Sequence, residues 1–118
     1  MKCARVVAFI SCAFAVTAAQ AQEYPQKPVR LVASEPGGAG DLVARLLATS
    51  LRSANWQVVI DNRAGAFLSG KAVAEAPADG YTLLLAASNL WLQPFLTPNV
   101  PWDPLKDFAP ITLATTSP

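Results

Sequence analysis

The chain has 118 residues, 53% of them hydrophobic and 14% charged, with a formal net charge of +1. A chain this apolar is not disordered, and charge this evenly balanced lacks the basic excess of a nucleic-acid or anionic-membrane binder. The length accommodates one small domain at most.

In chain order, Met1 to Ala21 reads as three blocks. Lys2 and Arg5 form a short positive region, and Val6 to Val16 is an apolar core too short to span a bilayer. Ala19-Gln20-Ala21 is a small-x-small cleavage site, so residues 1–21 are expected to be a signal peptide and the mature chain to start at Gln22. The competing reading is a buried or membrane-anchoring helix, but no later stretch resembles a stop-transfer segment. Cleavage removes Lys2 and Arg5, leaving seven basic residues against eight acidic ones, and takes Cys3 and Cys12 with them. Neither a disulfide nor thiol chemistry is then available to residues 22–118. Cys12 lies too early, and behind the wrong residue, for a lipidation site.

The chain has no histidine. A zinc or copper centre therefore lacks its usual ligands, and neither a Ser-His-Asp nor a Cys-His constellation can be built. No metal and no cofactor is expected, and an enzyme reading would place its catalytic groups beyond Pro118.

After an extended lead-in holding Pro25 and Pro28, Val29 to Ala33 (VRLVA) has the continuous apolar character of a buried strand. Ser34 to Gly40 is a turn-forming loop, and Asp41 to Ser53 reads as an amphipathic helix with Leu42, Val43, Leu46, Leu47 and Leu51 on its apolar face. Val58 to Asp61 is a second strand, Asn62 to Ser69 a loop, and Gly70 to Ala76 a short helix. A turn at Pro77 to Gly80 leads into a third strand, Tyr81 to Ala87. Beyond Ser88 the chain is rich in proline, and Ile111 to Ala114 looks like the start of a fourth strand. Strand–helix–strand–helix–strand with apolar strands predicts a parallel βαβαβ sheet, the opening half of a doubly wound α/β domain. Three or four strands with two helices leave apolar surface uncovered, so independent stability is not expected.

In such a sheet, ligands bind outside the carboxyl ends of the strands. That places the loop Pro36-Gly37-Gly38-Ala39-Gly40-Asp41 at the site, where glycines let the backbone approach an anion and a helix N-terminus adds its positive dipole end. A dinucleotide fingerprint would need Gly or Ala where Val43 stands, and no Gly-Lys-Ser/Thr follows to make a Walker A loop. Asp41 reads either as a helix cap or as a ligand contact. Arg63 reads as a loop ion-pair residue or as an anion contact from the second loop. Ser88 and Asn89 flank the crevice if the strand order is 2-1-3. Trp56, Trp91 and Trp102 are candidates for packing or for lining a pocket.

The run Tyr24-Pro25-Gln26-Lys27-Pro28-Val29-Arg30-Leu31-Val32, followed by Pro36-Gly37-Gly38, Asp41 and Ala44-Arg45, resembles the opening of the Bug family. These are periplasmic substrate-binding receptors of tripartite tricarboxylate transporters. The likeness continues through Val58 to Arg63 (VVIDNR), Ala76 to Leu85 (APADGYTLLL) and Trp102 to Thr112, and so spans nearly all of residues 22–118.

The resemblance implies the first half of lobe 1 of a two-lobed Venus-flytrap fold that closes on a small organic carboxylate without chemistry. The partners it implies are that carboxylate and the membrane components of a tripartite transporter, with no nucleic acid and a monomeric receptor. It also implies that backbone groups of Pro36 to Asp41, with ordered waters, hold a ligand carboxylate. Three departures stand out. Ala33-Ser34-Glu35-Pro36 replaces the family's usual Pro-Phe-x-Pro, which sets the acidic Glu35 beside an anion site, where it repels a carboxylate unless it points to solvent or selects a cationic ligand group. The loop after Arg63 is shorter than usual. Members are also much longer, so residues 22–118 are expected to be an incomplete lobe supplying one wall of the cleft and binding ligand weakly or not at all. A truncated product of a decayed gene and the N-terminal part of an exported α/β enzyme are the alternatives.

Overall fold

The computed structural model describes residues 23–116; the expected signal peptide, with Cys3 and Cys12, lies outside them. Three strands, β1 (Val29–Ala33), β2 (Val58–Asn62) and β3 (Thr82–Leu84), alternate with three helices, α1 (Ala39–Ser53), α2 (Gly65–Ala74) and α3 (Ser88–Leu96). All pairings are parallel and the order is β2-β1-β3, so the first strand in sequence is the middle one. The parallel sheet expected from the sequence is present, and the order is the 2-1-3 that the placement of Ser88 and Asn89 beside the crevice requires.

The central strand is buried along most of its length, with Val29, Leu31, Val32 and Ala33 all inaccessible. Burying a side chain of valine or leucine size stabilises by roughly 1.5–3 kcal/mol, which makes this strand the anchor of the sheet. Side chains alternate across a strand. Leu31 and Ala33 pack with Val58, Ala44 and Ala48 in one cluster, joined by Leu47, Leu51, Trp56 and Ile60. Right-handed crossovers running in opposite directions from β1 put α1 and α2 on opposite faces.

The face of α1 differs from the sequence reading. Asp41, Ala44 and Ala48 are buried against the sheet, with Leu47 and Leu51 half-buried beside them, while Leu42 and Leu46 are 61% and 60% exposed. At 100° per residue, Leu42 and Leu46 lie opposite Ala44 and Ala48. Small side chains let the helix axis approach the strands closely, so alanine takes the buried stripe and two leucines face outward.

Helix α2 begins at Gly65, five residues before the expected start, so only Arg63 and Ala64 remain of the expected loop. It ends at Ala74, because the residue before Pro77 is kept out of the helical region. Strand β3 is shorter than Tyr81 to Ala87, although Leu85 N–H still donates to Val32 C=O. The proline-rich segment after Ser88 opens with α3, which tolerates Pro94 near its end at the loss of the bond Pro94 cannot donate. Ile111 to Ala114 forms no strand; Ile111 and Leu113 are each 76% exposed and have no paired neighbour.

Two straps fasten the ends of the chain to this core. Tyr24 Oη donates to Gly80 C=O (2.6 Å) and its ring stacks edge-on against Trp56 (5.3 Å), while Lys27 pairs with Asp79 (2.8 Å). Beyond α3, Trp102 lies over Gly70 of α2 with its ring edge-on to Phe108 (5.6 Å).

Candidate functional site

Each strand runs into a helix at its carboxyl end, so the N-termini of α1, α2 and α3 converge on the same edge of the sheet. They surround a cleft of about 280 Å³. Ser34, Glu35, Ala39, Gly40 and Val43 line it from the β1–α1 side, and Gly65, Ala66 and Ser69 from α2. Leu85 to Ala87, Asn89 and Leu90 close the β3–α3 side, with Thr115 from the end of the described chain. The volume falls just under the roughly 300–1,000 Å³ of drug-sized pockets, which suits a small molecule.

None of the three helices has a side-chain cap at its N-cap residue; Gly38, Ala64 and Ala87 stand there. The first N–H groups of a helix have no partner within it. Those of Ala39 and Gly40 in α1, and of Ser88 and Asn89 in α3, make no other hydrogen bond among the described residues. Uncapped donors at a positive dipole end favour an anion. Among the cleft-lining residues the one formal charge is that of Glu35.

Asp41 sits at the third position of α1, buried to 4% exposure, and organises the loop in front of the helix. Its Oδ2 accepts from Gly37 N–H (2.9 Å) and Arg45 Nε–H (2.9 Å), and its Oδ1 from Asn62 Nδ2–H (3.0 Å). The Arg45 hydrogen bond, with those from Gly37 and Asn62, lowers its pKa to about 2. Asn62 also donates to Ser34 C=O (2.7 Å), tying the end of β2 to the end of β1. Gly37 has φ of +80°, a conformation that costs a residue with a Cβ, which explains glycine at the turn. Gly40 lets the Ser34 hydroxyl approach closely: a Cβ there would displace it.

Of the residues expected at the site, Ala39, Gly40 and Asn89 line the cleft. Pro36, Gly37, Gly38 and Asp41 do not line it and form the turn into α1, with Pro36 and Gly37 exposed, and Ser88 opens α3 at the surface. Arg63 turns to Asp61 (Nε to Oδ1, 3.1 Å), which also holds Arg30 from β1. These two guanidiniums, Arg30 foremost, keep the Asp61 carboxyl below its ordinary range. Trp102 and Trp56 pack in the straps, and Trp91 is half-exposed away from the cleft.

The α2 contribution was not anticipated. Its N-terminus carries no Ser, Thr or Asp cap to announce it. Glu35, thirty residues upstream, supplies the acceptor instead, with Oε2 receiving Gly65 N–H at 3.3 Å. Only the small-residue run Ala64-Gly65-Ala66 hints at it.

A parallel 2-1-3 sheet whose helix N-termini ring a small cleft is the arrangement of half of one lobe of the periplasmic-binding-protein type of fold. Residues 43–118 match the family described as "Tripartite tricarboxylate transporter family receptor". The chain is 38% identical over 121 residues to a UPF0065 protein from the tcbD-tcbE intergenic region of Pseudomonas sp. strain P51, covering 97% of this chain and 36% of that one. It is 38% identical over 111 residues to the protein BugT of Bordetella pertussis, covering 89% and 34% respectively. A solved structure described as R. palustris Rpa4515 with adipate is similar at 39% identity and a TM-score of 0.50, over 52% of this chain and 22% of that one. The chain belongs to the tripartite tricarboxylate transporter receptor family, the Bug receptors. It spans about a third of the length of the curated relatives it matches.

Proposed function

We propose that this chain supplies one wall of the ligand site in an extracytoplasmic receptor that carries a small organic carboxylate to the membrane components of a tripartite transporter. The observation that carries this reading is the convergence of three helix N-termini, with free first-turn N–H groups in α1 and α3, on one small cleft. The backbone of Ala39, Gly40, Ser88 and Asn89 holds a ligand carboxylate, and Pro36 to Gly38 with Asp41 keep that backbone in place. Adipate in the structure of the R. palustris relative supports the ligand class. Residues 1–21 direct export and are removed after Ala21.

The test uses the protein from the extracytoplasmic fraction of its native host. Its N-terminus is expected at Gln22 by mass spectrometry. A product that also carries the rest of the receptor is expected to show saturable binding of radiolabelled dicarboxylates of four to six carbons in dialysis, whereas residues 22–118 alone bind weakly or not at all. An intact leader in a cytoplasmic product, or no binding of any acid by that longer product, overturns the reading.

A further inference from the structure

The cleft as described is an unusual place for a simple dicarboxylate. Glu35 lines it, and no basic side chain does. The two arginines closest in sequence to the lining loops are committed elsewhere, Arg45 to Asp41 (2.9 Å) and Arg63 to Asp61 (3.1 Å). The Glu35 carboxylate stands at the N-terminus of α2, where Gly65 N–H is the one donor it receives from another residue. That position would otherwise attract an anionic group of the ligand. Hydrogen bonds from its own backbone N–H and from Gly65 hold its pKa below the ordinary value, so it is ionised at neutral pH. One of three converging helix ends is thus already filled with negative charge, and two remain.

We propose that Glu35 sets the ligand class of this site, which takes an acid bearing a protonated amine, with the carboxylate on the α1 and α3 N–H groups and the ammonium on Glu35. Glu35 is exposed at the rim of the cleft, and a carboxylate brought to the same place meets its like charge there, whereas an ammonium meets an acceptor with lone pairs to spare. This inference rests on the receptor reading above.

The experiment measures affinities for succinate, glutarate and adipate, each against the ω-amino acid of equal carbon count: 4-aminobutanoate, 5-aminopentanoate and 6-aminohexanoate. It uses the protein expressed from its own gene in its native host, as wild type and as Glu35→Gln. Glutamine keeps the oxygen that accepts Gly65 N–H and removes the charge, so the start of α2 is preserved. The expected result is at least a tenfold preference of the wild type for the amino acid of the best-bound pair, lost in Glu35→Gln. A wild type that prefers the dicarboxylate, or a preference unchanged in Glu35→Gln, overturns the assignment of Glu35 and leaves the receptor reading standing. Failure of all six acids to bind overturns both.

Discussion

Replacing Gly70 by alanine tests the packing of the strap that follows α3. Two effects oppose each other there. Alanine in the middle of a helix is favoured over glycine by about 1 kcal/mol. A Cβ on residue 70, however, would lie 2.6 Å from Cε2 and 2.7 Å from Cζ2 of Trp102, where carbon atoms ordinarily stop at about 3.5 Å. The indole is rigid and only 5% exposed, its Nε1–H donates to Phe67 C=O at 3.4 Å, and its ring rests edge-on against Phe108. It can yield only by lifting off α2. Overpacking of this kind costs about 1–3 kcal/mol, so Gly70→Ala is expected to lose about 1 kcal/mol net. Urea denaturation followed by far-UV circular dichroism measures this, with an unchanged slope showing that the folded state stays compact. In a Trp102→Leu background the clash is gone, and the same alanine should then stabilise by its helix preference. A Gly70→Ala protein as much as 1 kcal/mol more stable than wild type would refute the contact.

Three further expectations follow from the site. Asp41 is held at about 2 in the fold against an ordinary 3.8, so the unfolded chain binds the extra proton first. Its stabilisation is therefore complete above about pH 4 and is lost as pH falls towards about 2; Asp41→Asn should flatten that part of the stability profile in urea titrations across pH. Gly65 has φ of +73° at the start of α2, so Gly65→Ala should cost about 1–2 kcal/mol, read as a lower thermal midpoint. Gly40→Ala should displace the Ser34 hydroxyl and weaken ligand binding with little change in the urea midpoint, since the serine can rotate and alanine suits the helix.

The sheet was legible in the sequence because its signals are local. Val29 to Ala33 is apolar but for Arg30, and the glycines after it mark the turn into α1. Features set at a distance were not legible. The start of α2 depends on Glu35, which a reading of residues 62 to 70 cannot supply. The buried face of α1 depends on how near the helix lies to β1 and β2. Leu47 and Leu51 of the expected face do pack against the sheet, but closeness selects Ala44 and Ala48 for the buried stripe and leaves Leu42 and Leu46 outside. Pro94 argued against α3, yet the helix holds because Leu90 is buried in front of it. Of the glycine loop expected at the site, Ala39 and Gly40 line the cleft, while Pro36, Gly37, Gly38 and Asp41 do not. The α2 wall went unseen for the same reason as the helix itself, and Glu35 was visible only as an oddity against the family pattern.

The central position of β1 governs the order in which this half-lobe can assemble. The first strand made has no neighbour until later ones exist. Its partners in β2 and β3 lie about 30 and about 50 residues away, so closing the second loop costs about 0.5 kcal/mol more in chain entropy than the first. The β1–α1–β2 unit is therefore expected to form ahead of β3, with the Tyr24 to Gly80 strap closing once β3 is in place. Because the cleft needs the link from β3 to α3 as its third side, it comes into existence with the last step of folding. It is also the first thing lost when the β3 edge opens. Amide hydrogens of Leu83 to Leu85 should exchange faster than those of Leu31 to Ala33, and a ligand should slow the former far more than the latter.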